Sequence, residues 1–276
     1  MSGRCLSYLS FLLITVITIG CRENRNSQEQ PEIAVANSYL LSVVRDLCGE
    51  QADVMSFVSP GMCPGHFDMS PAQVKQLSGC KILLLFDFQS GIGNALSRLE
   101  ERGLKIYSIK APEGLCLTKT YLAVVRSVAD VLSKDNPAKR IEYNTRFEFI
   151  ERRLNTLAAD INSKIEKAGL TNTEVLASGH QAEFAKRLGL NVVATFAGSD
   201  VEIPSGINSA LMKARDKNIK FVIANQQEGT ALAKAMADRL NSEMVVFSNF
   251  PTGQGDIPAF DSLLIENISG LFEDEK

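Results

Sequence analysis

Between Lys119 and Leu170 the chain runs for roughly fifty residues without a strand-like segment, and this gap constrains the fold more than any other feature. Inside it, Tyr121 to Leu132 reads as one helix, "SKDNP" breaks it, and Ala138 to Ala168 reads as a second. Tyr143, Phe147, Ile150, Leu154, Leu157, Ile161 and Ile165 recur at three- and four-residue steps along the second, the spacing of one buried helix face. At its rise per residue that helix is roughly 45 Å long, enough to span two small domains.

Strand and helix alternate on both sides of the gap. Upstream, "EIAV", "ADVMSFVS", "KILLLFDF" and "LKIYSI" read as strands. The helix after "EIAV" turns Leu40, Leu41, Val44 and Leu47 inward. "SPAQVKQLSG" is a short helix with Ser70 at its cap, Pro71 in its first turn and Gly79 at its end, and "GIGNALSRLEERG" is another. Downstream, "TEVLAS", "LNVVATF", "IKFVIAN" and "EMVVFSN" are strands, separated by the helices "QAEFAKRLG", "GINSALMKARDKN" and "EGTALAKAMADRLN". Continuous apolar runs such as "KILLLFDF" belong in parallel sheets covered on both faces. The expected fold is α/β: two parallel-sheet lobes joined by a long rigid connecting helix, with a ligand cleft between them. The lobes are placed at 33–118 and 171–276, with the helical connector at 119–170.

The opening "MSGRCLSYLSFLLITVITIGC" has a basic start at Arg4 and an apolar run to Ile19, too short for a comfortable membrane span. It reads as a signal peptide over 1–20. Gly20-Cys21 resembles a bacterial lipobox, with Thr18 where leucine is usual, so Cys21 is the expected lipidation site. Cleavage without lipid and an uncleaved anchor are the other readings of this segment. Residues 21–32 form a polar tether, and the expected product is an exported lipoprotein, periplasmic or at the cell surface, held at a membrane by its lipid.

With 29 basic against 32 acidic residues and no basic patch, nucleic acid is not an expected partner. The body keeps Cys48, Cys63, Cys80 and Cys116, and export permits disulfides among them. "SGIGNAL" lacks the third glycine of a dinucleotide loop, Leu96 standing in its place, and "SGH" lacks a nucleophile elbow, so no enzyme is expected.

"VSPGMCPGHFDMSPAQVKQLSGCKILLL", "LSKDNPAKRIEYNTRFEFIERRLNTL" and "SDVEIPSGINSALMKARDKNIKFVIAN" resemble, in this order, stretches of the zinc- and manganese-type solute-binding lipoproteins of bacterial ABC importers. The first is similar to that family's Pro-Gly-x-Asp-Pro-His loop, helix start and strand. The second resembles its Asp-Pro helix start, and the third its Glu-Pro-Ser helix and following strand. The resemblance runs from about Ile33 to Phe272, nearly the whole body. It implies a monomeric carrier that closes modestly on its solute and docks on an inner-membrane permease driven by a separate ATPase.

The family's ligands, histidines with one or two acids, are not matched cleanly. Cys63 stands at the family's aspartate, Gly65 at its first histidine, and His66 is one residue late. "EGLCLTKTY" carries no second histidine, and Cys116 falls where the family has tryptophan. His180 lies near the third histidine. Asn225, followed by Gln226 and Gln227, stands where the strand should end in an acid, and Ser248-Asn249 replaces another.

Cys63, His66, Met69, Cys116, His180 and Gln226 are therefore the candidate metal ligands, a set suited to copper(I) or to zinc bound partly through sulfur. Other readings stand beside this one. Met69 also fits a packing residue, Cys63 and Cys116 a disulfide, Cys48 and Cys80 buried thiols or a second disulfide, and Glu202 a helix start. A metal-free cleft taking a non-metal or chelated solute, and a surface adhesin, are the alternative functions. No catalytic cofactor is expected.

Overall fold

The largely apolar runs "KILLLFDF" and "IKFVIAN" become central strands of two parallel sheets. In this computed structural model the described residues are 31–49, 52–57, 70–198, 204–252 and 259–272. The expected signal and Cys21, most of the tether, and Cys63, His66, Met69 and Glu202 lie outside them.

The first sheet contains β1 (Ile33–Val35), β2 (Val54–Ser56), β3 (Ile82–Phe86) and β4 (Lys105–Ile109) in the order β2-β1-β3-β4. The second contains β5 (Glu174–Ser178), β6 (Asn191–Phe196), β7 (Phe221–Asn225) and β8 (Glu243–Phe247) in the order β6-β5-β7-β8. All six pairings are parallel, for example Ile33 opposite Ile82 and Val175 opposite Phe221. Every residue of β3 and of β7 is buried, because helices cover both faces. Both sheets share one strand order although no sequence repeat is visible. Each therefore has a topological switch point, between β1 and β3 and between β5 and β7, the place beyond the strands' carboxyl ends where open α/β sheets take ligands.

The helices are α1 (Ser38–Cys48), α2 (Pro71–Leu77), α3 (Gly93–Glu100), α4 (Thr118–Asp135), α5 (Arg140–Lys167), α6 (Ala182–Arg187), α7 (Pro204–Ala214), α8 (Ala231–Leu240) and α9 (Ala259–Ser269). Ser70 caps α2 in a full capping box with Gln73, and Pro71 occupies the first turn as expected. That helix stops at Leu77, two residues before Gly79. A 3-10 segment, Asp87–Ile92, separates β3 from α3. Among the described residues no helix is long and apolar enough to cross a membrane.

α5 is continuous over 28 residues and buries Tyr143, Phe147, Ile150, Leu154, Ile161 and Ile165, the stripe seen in the sequence. That stripe belongs to one hydrophobic cluster containing Val35, Leu84 and Tyr121 as well as Phe184, Phe221 and Phe260. The two sheets thus share a core, while their outer faces carry smaller clusters of their own. α9 was not recognised in the sequence. Phe260, Asp261, Ser262, Leu263, Leu264, Asn267 and Ile268 are all buried, so the helix shows no polar face to set its period.

A buried charge cluster crosses this core. Arg153 of α5 donates to Asp46 of α1 at 3.0 and 2.8 Å, and the Tyr121 hydroxyl of α4 donates to the same carboxylate at 2.8 Å. On its other side Arg153 Nε lies 3.1 Å from Asp261 Oδ2 of α9, an ion-pair contact off the N–H axis. Tyr121 stacks on Phe260 at 3.9 Å, and Tyr39 meets both rings edge-on. Removing Arg153 would leave two carboxylates facing each other in an apolar setting. Arg153→Ala is expected to lower stability by about 3–5 kcal/mol, read as a fall in the urea midpoint at pH 8. An unchanged midpoint would refute the clamp.

Candidate functional site

The carboxyl ends of the central strands are stitched by buried carboxamides. At the first switch point Asn37, just past β1, caps α1 through Leu40 N at 2.9 Å and donates to Gln89 Oε1 at 3.0 Å. The same Gln89 oxygen accepts from Phe86 N at 3.1 Å, at the end of β3. The second switch point repeats the device. Gln181, fully buried, donates from Nε2 to Asn225 Oδ1 at the end of β7 and to Asn249 Oδ1 beyond β8, both at 3.1 Å. Its own Oε1 is buried and finds no hydrogen-bond partner among the described residues.

Beside this neutral floor stand the ionisable groups. β5 ends at Ser178, and a tight turn closed by Gln181 N to Ser178 O at 2.9 Å presents His180 with its side chain 59% exposed. Opposite it, the 3-10 turn Gln226–Glu228 after β7 brings round the Glu228 carboxylate. His180 Nε2 lies 3.7 Å from Glu228 Oε1, and the Ser178 hydroxyl donates to Glu228 Oε2. Gly198 makes room for this acid: a Cβ there would lie 2.4 Å from the Glu228 Cβ. Two donors bound to one tetrahedral zinc at about 2.1 Å stand about 3.4 Å apart, so the His180–Glu228 spacing is within reach of shared coordination.

The other expected ligands fall differently. Cys116 lies just before α4 with 1% of its surface exposed. Its thiol is 3.1 Å from Ser248 O and 3.3 Å from Asn249 Oδ1, both acceptors, and receives the Asn267 amide at 3.5 Å. Burial pushes the thiol pKa up to about 12, with the Asn267 hydrogen bond opposing the rise. It is therefore a neutral anchor between the stretch preceding α4 and the loop after β8. Gly114 helps it seat, with φ +71 and a Cβ position only 2.7 Å from Leu117 Cδ1. Among the described residues Cys48, Cys80 and Cys116 carry free thiols, whereas Cys63, the other half of the expected Cys116 disulfide, lies outside them. Gln226 is exposed, whereas Gln227 ties β7 to β8 by accepting from Asn249 N at 3.0 Å and donating to Ser248 Oγ at 2.9 Å.

Sequence reasoning missed Glu228. The strand end and its two glutamines carry the local signal, whereas the 3-10 turn returns the next residue to the crevice. Among the described residues no group of three or more His, Cys, Asp or Glu side chains stands close enough to hold a metal ion. The anchored thiol has a chemical consequence. With Cys116 protonated and enclosed, Ellman's reagent at pH 8 is expected to label it only after denaturant is added, while partly buried Cys48 reacts earlier. Native labelling of Cys116 at the unfolded rate would rule out the buried anchor.

Comparison with known proteins adds the family. The profile of the periplasmic zinc-uptake complex component A family (ZnuA) matches residues 116–273, more than half of the chain. Among solved structures, a cadmium-bound periplasmic metal-binding protein from Candidatus Liberibacter asiaticus superposes with a TM-score of 0.73 at 14% identity, covering 87% of this chain and 98% of that one. A manganese-bound form of that protein gives 0.71 at 14% identity with the same coverage. A crystal structure of ZnuA gives 0.69 at 14% identity, covering 87% and 97%. At such identities these likenesses establish the fold. No curated protein sequence matches.

Proposed function

Because the chain belongs to the periplasmic zinc-uptake component A family of metal-binding, solute-binding proteins, we propose that it is the substrate-binding component of an ABC importer. It captures a metal ion in the crevice beyond its strand ends and hands it to a membrane permease worked by a separate ATPase. The observation that carries this reading is the His180–Glu228 pair, 3.7 Å apart at the β5/β7 switch point. An imidazole and a carboxylate are ordinary zinc ligands, and no turnover is needed of them.

Cys63, His66 and Met69 supply the remaining donors in this proposal, making the cargo zinc-like or a softer ion such as copper(I). Gln226 offers an exposed neutral oxygen. Cys116 joins the set only by giving up its contacts to Ser248 and Asn249. Lobes at 33–118 and 171–276, a connector at 119–170, a monomeric carrier without catalysis and a lipid anchor on Cys21 belong to the same proposal. The shared core and continuous α5 resist hinge bending, so capture proceeds through loops and small tilts.

One observation favours a second reading, a chelated or non-metal solute. The switch-point floor is built of buried carboxamides, Gln181, Asn225 and Asn249, which add no charge to balance a bare cation. Calorimetric titration of the purified protein, reduced and anaerobic, with zinc, copper(I) and manganese separates the two. One ion is expected to bind at one equivalent, and His180→Ala or Glu228→Gln to weaken it by about tenfold or more, ~1.4 kcal/mol. Failure of every ion to bind would transfer the cleft to the second reading.

A further inference from the structure

α9 carries two buried polar groups, Asp261 near its start and Asn267 near its end, joining separate parts of the molecule. Asp261 enters the charge cluster, where one guanidinium serves two carboxylates. Asp46 holds Arg153 by two aligned hydrogen bonds, while Asp261 has the single Nε contact at 3.1 Å and a hydrogen bond from its own backbone. Its other oxygen, Oδ1, is buried without a hydrogen-bond partner among the described residues. The second carboxylate is thus a buried charge that shares its counter-ion with Asp46 and leaves one oxygen unsatisfied, an arrangement that favours the protonated acid. At the far end, Asn267 accepts from Ser248 N at 2.7 Å and donates to Ser248 O at 2.9 Å, fixing the first residue of the loop after β8. That residue also meets Cys116 and Gln227, and its neighbour Asn249 meets Gln181.

We infer that α9 is a proton-linked clasp: Asp261 takes up one proton from solvent at Oδ1, and the neutral acid docks the helix, and with it the loop after β8, more firmly than the carboxylate does. On protonation Arg153 is left paired one-to-one with Asp46, and the buried cluster passes from a net negative charge to neutrality. The groups facing Asp261 are Arg153 from α5 and Asp46 from α1, with Tyr121 of α4 bonded to Asp46. β8 contributes its apolar residues, its one acid, Glu243, being exposed at the strand's start, and Glu266 on α9 itself is exposed. The direction of titration agrees. Burial first, then the Asp46 charge, outweigh the attraction of Arg153 and raise the Asp261 pKa from 3.8 to about 6. Since the folded pKa is the higher, the stabilisation by the proton is complete below about pH 3.8 and is lost as the pH rises through about 6.

The clasp does not depend on the proposed cargo, and its test needs no ligand. Thermal midpoints of the full protein and of Asp261→Asn, an uncharged isostere, are measured between pH 8 and pH 5.5. The variant is expected to melt above the parent at pH 8, and the difference to shrink by a few degrees on acidification as the parent acquires its proton. A difference that stays constant with pH, or a variant less stable than the parent at pH 8, would overturn the clasp. Hydrogen exchange on the parent alone provides an independent test should the variant fail to fold. After correction for intrinsic rates, protection of Ala259–Ser269 and of Ser248–Thr252 should rise on acidification relative to Thr118–Asp135. Protection that moves equally in all three segments, or falls in the first two, contradicts the proposal.

Discussion

The architecture depends on a single guanidinium. Arg153 sits within the helix that both sheets share, bonded twice by Asp46 from the first sheet's helix and touched more loosely by Asp261 from α9. Charges cost free energy to bury, and the cost is met only where geometry is good and water is kept out. Tyr39, Tyr121 and Phe260 supply that enclosure, their rings closing on one another around the ion pairs. The clamp and the continuous cluster about it make the two sheets parts of one packed body. Packed cores have discrete arrangements and deform little, which is why the proposed capture works through the short turns at the strand ends.

Those turns share a common support. In each sheet a buried carboxamide pair, Asn37–Gln89 or Gln181–Asn225, joins the ends of the two strands flanking the switch point. An amide pair satisfies buried polar groups without burying charge, which suits a rigid floor. The ionisable chemistry is pushed outward, to exposed His180 and partly buried Glu228. The proposed metal reading therefore draws its remaining donors from Cys63, His66 and Met69, which precede Ser70 in the chain.

Legibility followed the range of the interaction. β3 and β7 were readable because strands buried on both faces are apolar almost throughout, Asn225 at the end of β7 excepted, and α5 because its core stripe repeats every three or four residues. Ser70 and Gln73 announced the start of α2 through a capping box three residues long. α9 escaped because burial on most of its surface placed Asp261, Ser262 and Asn267 among its apolar residues and erased the period. Glu228 escaped because a single 3-10 turn, not the strand end, decides which residue faces His180. Cys116 was readable as a thiol near the cleft, but its neutrality comes from its burial against Ser248, 132 residues further along.

The sequence by itself determined the two α/β rhythms and the long helix between them, since periodicity, caps and composition are written within a few residues. Only the tertiary structure decided that Arg153 joins Asp46 across 107 positions and that Gln181 joins Asn249 across 68. It alone brought Glu228 to His180. Such pairings depend on how the two sheets pack against a common core, and a polar residue carries no local mark of the distant partner that will satisfy it.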